Sequence, residues 1–260
     1  MGKLHTIQSF IKYLLKAQNA HGLHSPFVFD LYTQVIAPDK KYYAFDVIED
    51  LRNKLRKDQK TIKVMDYGAG SKNQPAPERK IANIARYSIS QPKLGQLMFK
   101  LVDYFKPETI LELGTCLGIN TLYLAKAYHK STIFTFEGCP ELARIAAKNF
   151  KELKVKPRIC IGNLDETLKP AIKKLNEIDM VFFDANHQYQ PTLSYFETCL
   201  EKVHENSVFI FDDIYWSEGM TKAWEEIKAH PQVALSVDLF QIGIVFFRKK
   251  QPKQHFTLRF

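Results

Sequence analysis

The run Ile110-Leu111-Glu112-Leu113-Gly114-Thr115-Cys116-Leu117-Gly118-Ile119-Asn120-Thr121 is the most informative stretch of the chain. Its first four residues read as a buried strand, and Gly114 lets the backbone turn sharply and approach a ligand. Gly118 then opens a helix whose free amide groups face the same crevice. A plain strand–helix turn needs one glycine, and here there are two. Their spacing also differs from the Gly-x-Gly-x-x-Gly fingerprint of dinucleotide sites.

On either side of this turn, residues 109–230 alternate short apolar, β-branched stretches with helical ones. TILELG is followed by INTLYLAKAY, STIFTFE by ELARIAAKNF, and RICIG by DETLKPAIKKL. IDMVFFD is followed by PTLSYFETCL, and SVFIFDD by EGMTKAWEEIKAH. Such alternation predicts right-handed βαβ units and a parallel sheet covered on both faces. The last two strand-like runs, VALSVDLF and IGIVFFRK, have only Gln241 between them, so no helix fits and the pair should be antiparallel. The expected architecture is α/β: a mostly parallel seven-stranded sheet ending in an antiparallel hairpin.

The first 90 residues read differently. Apolar residues at Leu4, Ile7, Phe10, Ile11, Leu14 and Leu15 have helical spacing. Ser25-Pro26 marks a second helix start that Pro38 ends, and a third helix is expected around 45–56. Residues 62–65 look like a short strand, and helices are expected near 78–87 and 92–105. We therefore expect an N-terminal helical extension over 1–90, a ligand-binding domain over 91–250 and a basic tail over 251–260.

At 260 residues, with 45% hydrophobic and 25% charged residues, the chain is of ordinary globular composition. It has no apolar run of membrane-spanning length and no secretory signal pattern, and its four cysteines lack CxxC pairing. A cytoplasmic protein with reduced thiols and no membrane partner is the expectation. The net charge of +9 is uneven: +8 over 1–109, −4 over 110–247 and +5 over 248–260. The basic charge thus lies in the flanks, where attraction to RNA stays open, although such a tail is usually just solvated.

Candidate site residues end the strands. Glu137 closes STIFTFE, where a carboxylate can accept both hydroxyls of a ribose. Asn163 closes RICIG and reads equally as a ligand contact and as a helix N-cap. Asp184 closes IDMVFFD, with His187 three residues on, and Asp212 and Asp213 close SVFIFDD. An imidazole titrates near neutral pH, so His187 is a candidate general base, weighed against a hydrogen-bonded helix start. His21 and His24, three apart around a turn, are too few to hold a metal by themselves. The run Asp66-Tyr67-Gly68-Ala69-Gly70-Ser71 imitates the 110–121 turn but leads into prolines, and reads as a covering loop over a ligand.

Residues 110–121 resemble motif I of class I S-adenosylmethionine-dependent methyltransferases, in the form of the catechol and caffeoyl-CoA O-methyltransferase relatives. Residues 90–97 (SQPKLGQL) resemble the segment that precedes it, and Asp184-Ala185-Asn186-His187-Gln188-Tyr189 resembles the acidic loop of O-methyltransferase families. The (Asn/Asp)-Pro-Pro-(Tyr/Phe) motif of enzymes that methylate base amines is absent. The resemblance implies a Rossmann-like class I methyltransferase fold and methyl transfer to a hydroxyl of a small molecule. It implies S-adenosylmethionine contacts from Glu112, Gly114, Thr115, Gly118, Asn120, Thr121, Glu137, Gly138, Asn163 and Asp184, with Asp184 and His187 catalytic. In metal-dependent relatives it implies Mg²⁺ held by Asp184, Asp212 and Asp213, carboxylates of the hard type that ion takes. Here His187 replaces the usual lysine, and Asp213 matches the sugar O-methyltransferase branch. A homodimer, an RNA acceptor and a non-catalytic cofactor-binding role are left open by the sequence.

Overall fold

The computed structural model describes residues 2–65, 67, 77–249 and 251–260. It is α/β, with a mostly parallel sheet and flanking helices. The chain forms two compact units, one of residues 1–38 with 171–260 and one of residues 39–170.

The first unit begins with α1 (Gly2–Lys16) and α2 (Pro26–Leu31). Pro26 occupies the first helical turn, where its missing N–H costs nothing, and Ser25 Oγ accepts from Val28 N. Residues Tyr32–Ile36 continue α2 as a wider π turn closed by Ala37 N donating to Tyr32 O.

The second unit opens with α3 (Tyr43–Leu55), β1 (Thr61–Lys63), β2 (Glu78–Lys80), α4 (Ile81–Tyr87) and α5 (Pro92–Phe105). Residues 78–80, expected as a first helical turn, instead pair antiparallel with β1. The βαβ series follows as β3 (Thr109–Leu113), α6 (Ile119–Ala127), β4 (Thr132–Glu137), α7 (Pro140–Glu152), β5 (Arg158–Ile161) and α8 (Leu164–Ile172). β3, β4 and β5 are parallel neighbours in that order. Phe45, Ile48 and Leu51 of α3, Phe99 of α5, Leu122 and Tyr123 of α6 and Phe150 of α7 close one apolar core beside them.

The rest of the chain completes the first unit with β6 (Ile178–Phe183), α9 (Tyr189–Leu200), β7 (Val203–Asp212), α10 (Glu218–Ala229), β8 (Leu235–Asp238), β9 (Ile242–Phe246) and β10 (Gln254–Thr257). β6 runs parallel to β7, β7 antiparallel to β9, and β9 antiparallel to β8. This is the terminal hairpin that the missing helix between 238 and 242 dictates. The second half of β7 and all of β9 are buried, the signature of strands covered on both faces.

Two expectations change. The seven strands from 109 to 246 are followed by another, β10, which pairs parallel with β8. The tail is therefore sheet edge and not a solvated end. Gln18 N donates to Thr257 O, Arg259 N to Gln18 O and Tyr13 Oη to Leu258 O, so the last residues strap α1 to the body of this unit. Also, the first 90 residues are not one extension: residues 1–38 group with 171–260, and residues 39–90 belong to the other unit.

Candidate functional site

In the second unit the turn between β3 and α6 is built on left-handed backbone. Gly114 has φ +109° and Gly118 φ +79°. The amides of Gly114 and Thr115 both donate to Phe136 O, at 3.1 and 3.0 Å, which pins the turn to the end of β4. At Gly118 a side chain has no room: a Cβ would stand 2.5 Å from the Phe150 ring. Gly118 thus serves the close approach of α6 to α7.

Glu137 is the hinge of this half. Its two carboxylate oxygens accept from Cys116 N at 2.7 Å and Cys139 N at 2.8 Å. One side chain thus ties the glycine turn to the start of α7. Cys139 is the N-cap of α7, so its amide has no acceptor within the helix ladder. A carboxylate has about four acceptor sites, which suits paired hydroxyls as well as amides.

Other residues expected at the site also have partners within the protein. Glu112 is fully buried and accepts from Asn120 Nδ2 at 2.9 Å, from Thr135 Oγ1 at 2.6 Å and from Thr121 Oγ1. Thr115 Oγ1 hydrogen-bonds Thr135 Oγ1 in the same buried network. Glu112, Asn120, Thr121 and the Thr115 hydroxyl therefore brace β3 against α6 and β4 from inside, because a buried carboxylate must be met by donors. Asn163 acts as a helix cap, its Oδ1 accepting from Asp165 N at 3.1 Å. The space above Gly138 is taken by Tyr67, whose ring atom Cδ2 would be 2.6 Å from a Cβ there. Tyr67 had no separate reading in the sequence. Only its place in the glycine-rich run marked it, and the rest of that run, Asp66 and Gly68 to Ser71, lies outside the described residues.

In the first unit the ends of β6 and β7 bring carboxylates together. His187, with φ +48°, places Nε2 at 3.4 Å from Asp184 Oδ1, and its ring centroid lies 6.1 Å from that of Trp216. Burial pulls the His187 pKa down, but the Asp184 carboxylate and the charge of Asp213 outweigh it, so the net shift is upward. Asp212 is buried, and its Oδ1 has no hydrogen-bond partner. Burial, then the charges of Asp184 and Asp213, push its pKa well above the usual carboxylate range.

That arrangement tests the metal. Among the described residues no group of three or more His, Cys, Asp or Glu side chains is placed to hold an ion. Asp184 and Asp213 lie close enough to Asp212 for their charges to act on it. His21 and His24 are both exposed.

The His187 shift gives a measurable expectation. A raised folded-state pKa means the pair adds stability below the ordinary histidine value, and that stability is lost as pH rises through the folded value. In a proton NMR titration the His187 ring should titrate above 6.5, and Asp184→Asn should lower its midpoint. A wild-type midpoint below the ordinary value would show that burial wins and no ion pair forms.

Comparison with known proteins agrees with this geometry. Residues 111–214 match the model of a methyltransferase domain. A catechol O-methyltransferase of Niastella koreensis is 27% identical over 137 residues, 51% of this chain and 61% of that protein. One from Bos taurus is 23% identical over 184 residues, 65% of this chain and 67% of that protein. The chain thus spans about three fifths of the length of the bacterial relative. An SAH-bound methyltransferase of Podospora anserina has a TM-score of 0.61 at 16% identity, covering 87% of this chain and 97% of that one. The O-methyltransferase TomG of Streptomyces achromogenes, in complex with SAM, has a TM-score of 0.57 at 16% identity, covering 85% and 96%. Likeness at that identity is likeness of fold. Residues 111–214 thus match a methyltransferase domain, and the chain shares its fold with solved methyltransferases.

Proposed function

We propose that the protein methylates a hydroxyl of a small molecule, with S-adenosylmethionine as donor, in the cytoplasm. The observation that carries this reading is Glu137 at the end of β4, tied to the glycine turn through Cys116 N and to α7 through Cys139 N. That is a carboxylate held in place before any ligand arrives, as a ribose-binding group should be. The catechol O-methyltransferases among its relatives, and the missing motif of base-amine methylation, point to oxygen as the acceptor atom.

The donor, when bound, supplies a sulfonium methyl group for in-line displacement by an oxygen nucleophile. The residues do the rest. Glu137 binds the ribose hydroxyls, and Gly114 keeps the turn clear. Tyr67 covers Gly138 and shields the same side from water. The Asp184–His187 pair receives the hydroxyl proton once the imidazole is neutral, with Asp184 holding the ring and stabilising the imidazolium that forms.

The test is a turnover screen. The enzyme is incubated with methyl-labelled donor and panels of catechols, simple phenols, sugars and structured RNA, with release of the demethylated product followed. Label should enter a phenol, catechol or sugar at the hydroxyl oxygen, and rate should rise with pH through the His187 titration. Label found only in RNA would replace this reading.

A further inference from the structure

α1 turns the wrong way for a core helix. His5, Thr6, Ser9 and Tyr13, with Ala17 just past its end, face the body of the first unit. His5 Nε2 meets Thr221 Oγ1 at 2.9 Å, Thr6 Oγ1 donates to Tyr215 O, and Tyr13 Oη donates to Leu258 O at 2.7 Å. Phe10 packs edge-on to Phe240, with ring centroids 4.8 Å apart. On the opposite side Leu4, Ile7, Ile11, Leu14 and Leu15 are 49–83% exposed. At helical spacing they form one continuous stripe about 100° wide. Single exposed leucines are normal on a protein surface, but a stripe of five on one helix marks a contact surface.

The charges select the occupant. The helix sequence GKLHTIQSFIKYLLK contains three lysines and no acidic residue. Lys12 and Lys16 are exposed, Lys12 on the flank of the stripe and Lys16 at the end of the helix, where long stems can follow apolar atoms down while the ammonium groups stay at a polar, anionic layer. Packing this face on a second copy would set two helices without acidic residues side by side, lacking the opposite charges that usually flank such a seam. We propose that α1 is an interfacial helix that lays its outer face on an anionic lipid bilayer. Its apolar stripe enters the headgroup boundary and its lysines meet the lipid phosphates, with the inner face still docked. A span is a separate matter: among the described residues no helix is long and apolar enough to cross a membrane.

Flotation of the full chain with lipid vesicles tests this. The protein should rise with vesicles rich in phosphatidylglycerol, much less with phosphatidylcholine alone, and less in high salt, which screens the lysines. In Ile11→Gln/Leu15→Gln the fraction bound should fall at least about tenfold. The melting temperature should not fall, since both side chains are already exposed. Lys12→Gln/Lys16→Gln should remove the preference for the anionic lipid. Absence of wild-type flotation on anionic vesicles overturns the proposal. So does flotation that the Ile11→Gln/Leu15→Gln variant retains. A sedimentation dimer that this variant dissolves, without lipid binding by the wild type, assigns the face to a second copy instead.

Discussion

Glu137→Ala should raise the dissociation constant for S-adenosylmethionine by about ten- to a hundredfold while the fold survives. Charge-assisted hydrogen bonds contribute roughly 1.5–3 kcal/mol each, and about 1.4 kcal/mol is a factor of ten in affinity. The loss has two sources here. The variant removes the acceptor for a ribose, and it frees the Cys116 and Cys139 amides, so the turn and the start of α7 lose their common tie. Glu137→Gln keeps one acceptor oxygen and should fall between the two. Titration calorimetry of the three proteins decides the matter, and equal affinities would make Glu137 a structural clasp only.

Gly118→Ala should give the largest loss of stability. A residue with φ +79° pays roughly 1–2 kcal/mol once it carries a Cβ. That Cβ would also meet the Phe150 ring at 2.5 and 2.7 Å and Ala146 Cβ at 3.2 Å. Overpacking of this kind costs typically 1–3 kcal/mol. A total of about 3 kcal/mol should lower the melting temperature by roughly 6–12 °C. Gly118→Ala/Phe150→Leu should recover part of it, because the smaller side chain removes the clash and leaves the backbone strain. An unchanged melting point for the single variant would mean that α6 and α7 are not held at this distance.

The sequence was most legible where local pattern and burial agree. β3 to β9 could be placed because each is a short β-branched or aromatic run beside a helix-period stretch, and the hairpin because nothing but a turn fits between Asp238 and Ile242. The turn at Gly114 and Gly118 was legible for the same reason, since left-handed backbone selects glycine. β10 was not legible. Its residues Gln254-His255-Phe256-Thr257 show no clear alternation, and only pairing with β8 makes them a strand. The direction of Glu112 was hidden as well, because a strand carries side chains on both faces and a motif letter does not say which face meets a ligand. Asp212 and Asp213 could be read as ligands or as strand ends, because the sequence does not show the like-charge contacts with Asp184 that raise the Asp212 pKa. The outer stripe of α1 has the same period that a buried helix would have, so its exposure became visible only in the fold.

Titration calorimetry of the purified full chain against S-adenosylmethionine, its demethylated product and NAD puts the cofactor assignment to its sharpest test. We predict saturable one-site binding of the sulfonium donor and of its product, weakened in the Glu137→Ala variant, with no heat from NAD. Saturable binding of NAD together with silence towards both methyl-cycle ligands would be incompatible with a methyltransferase site at the glycine turn.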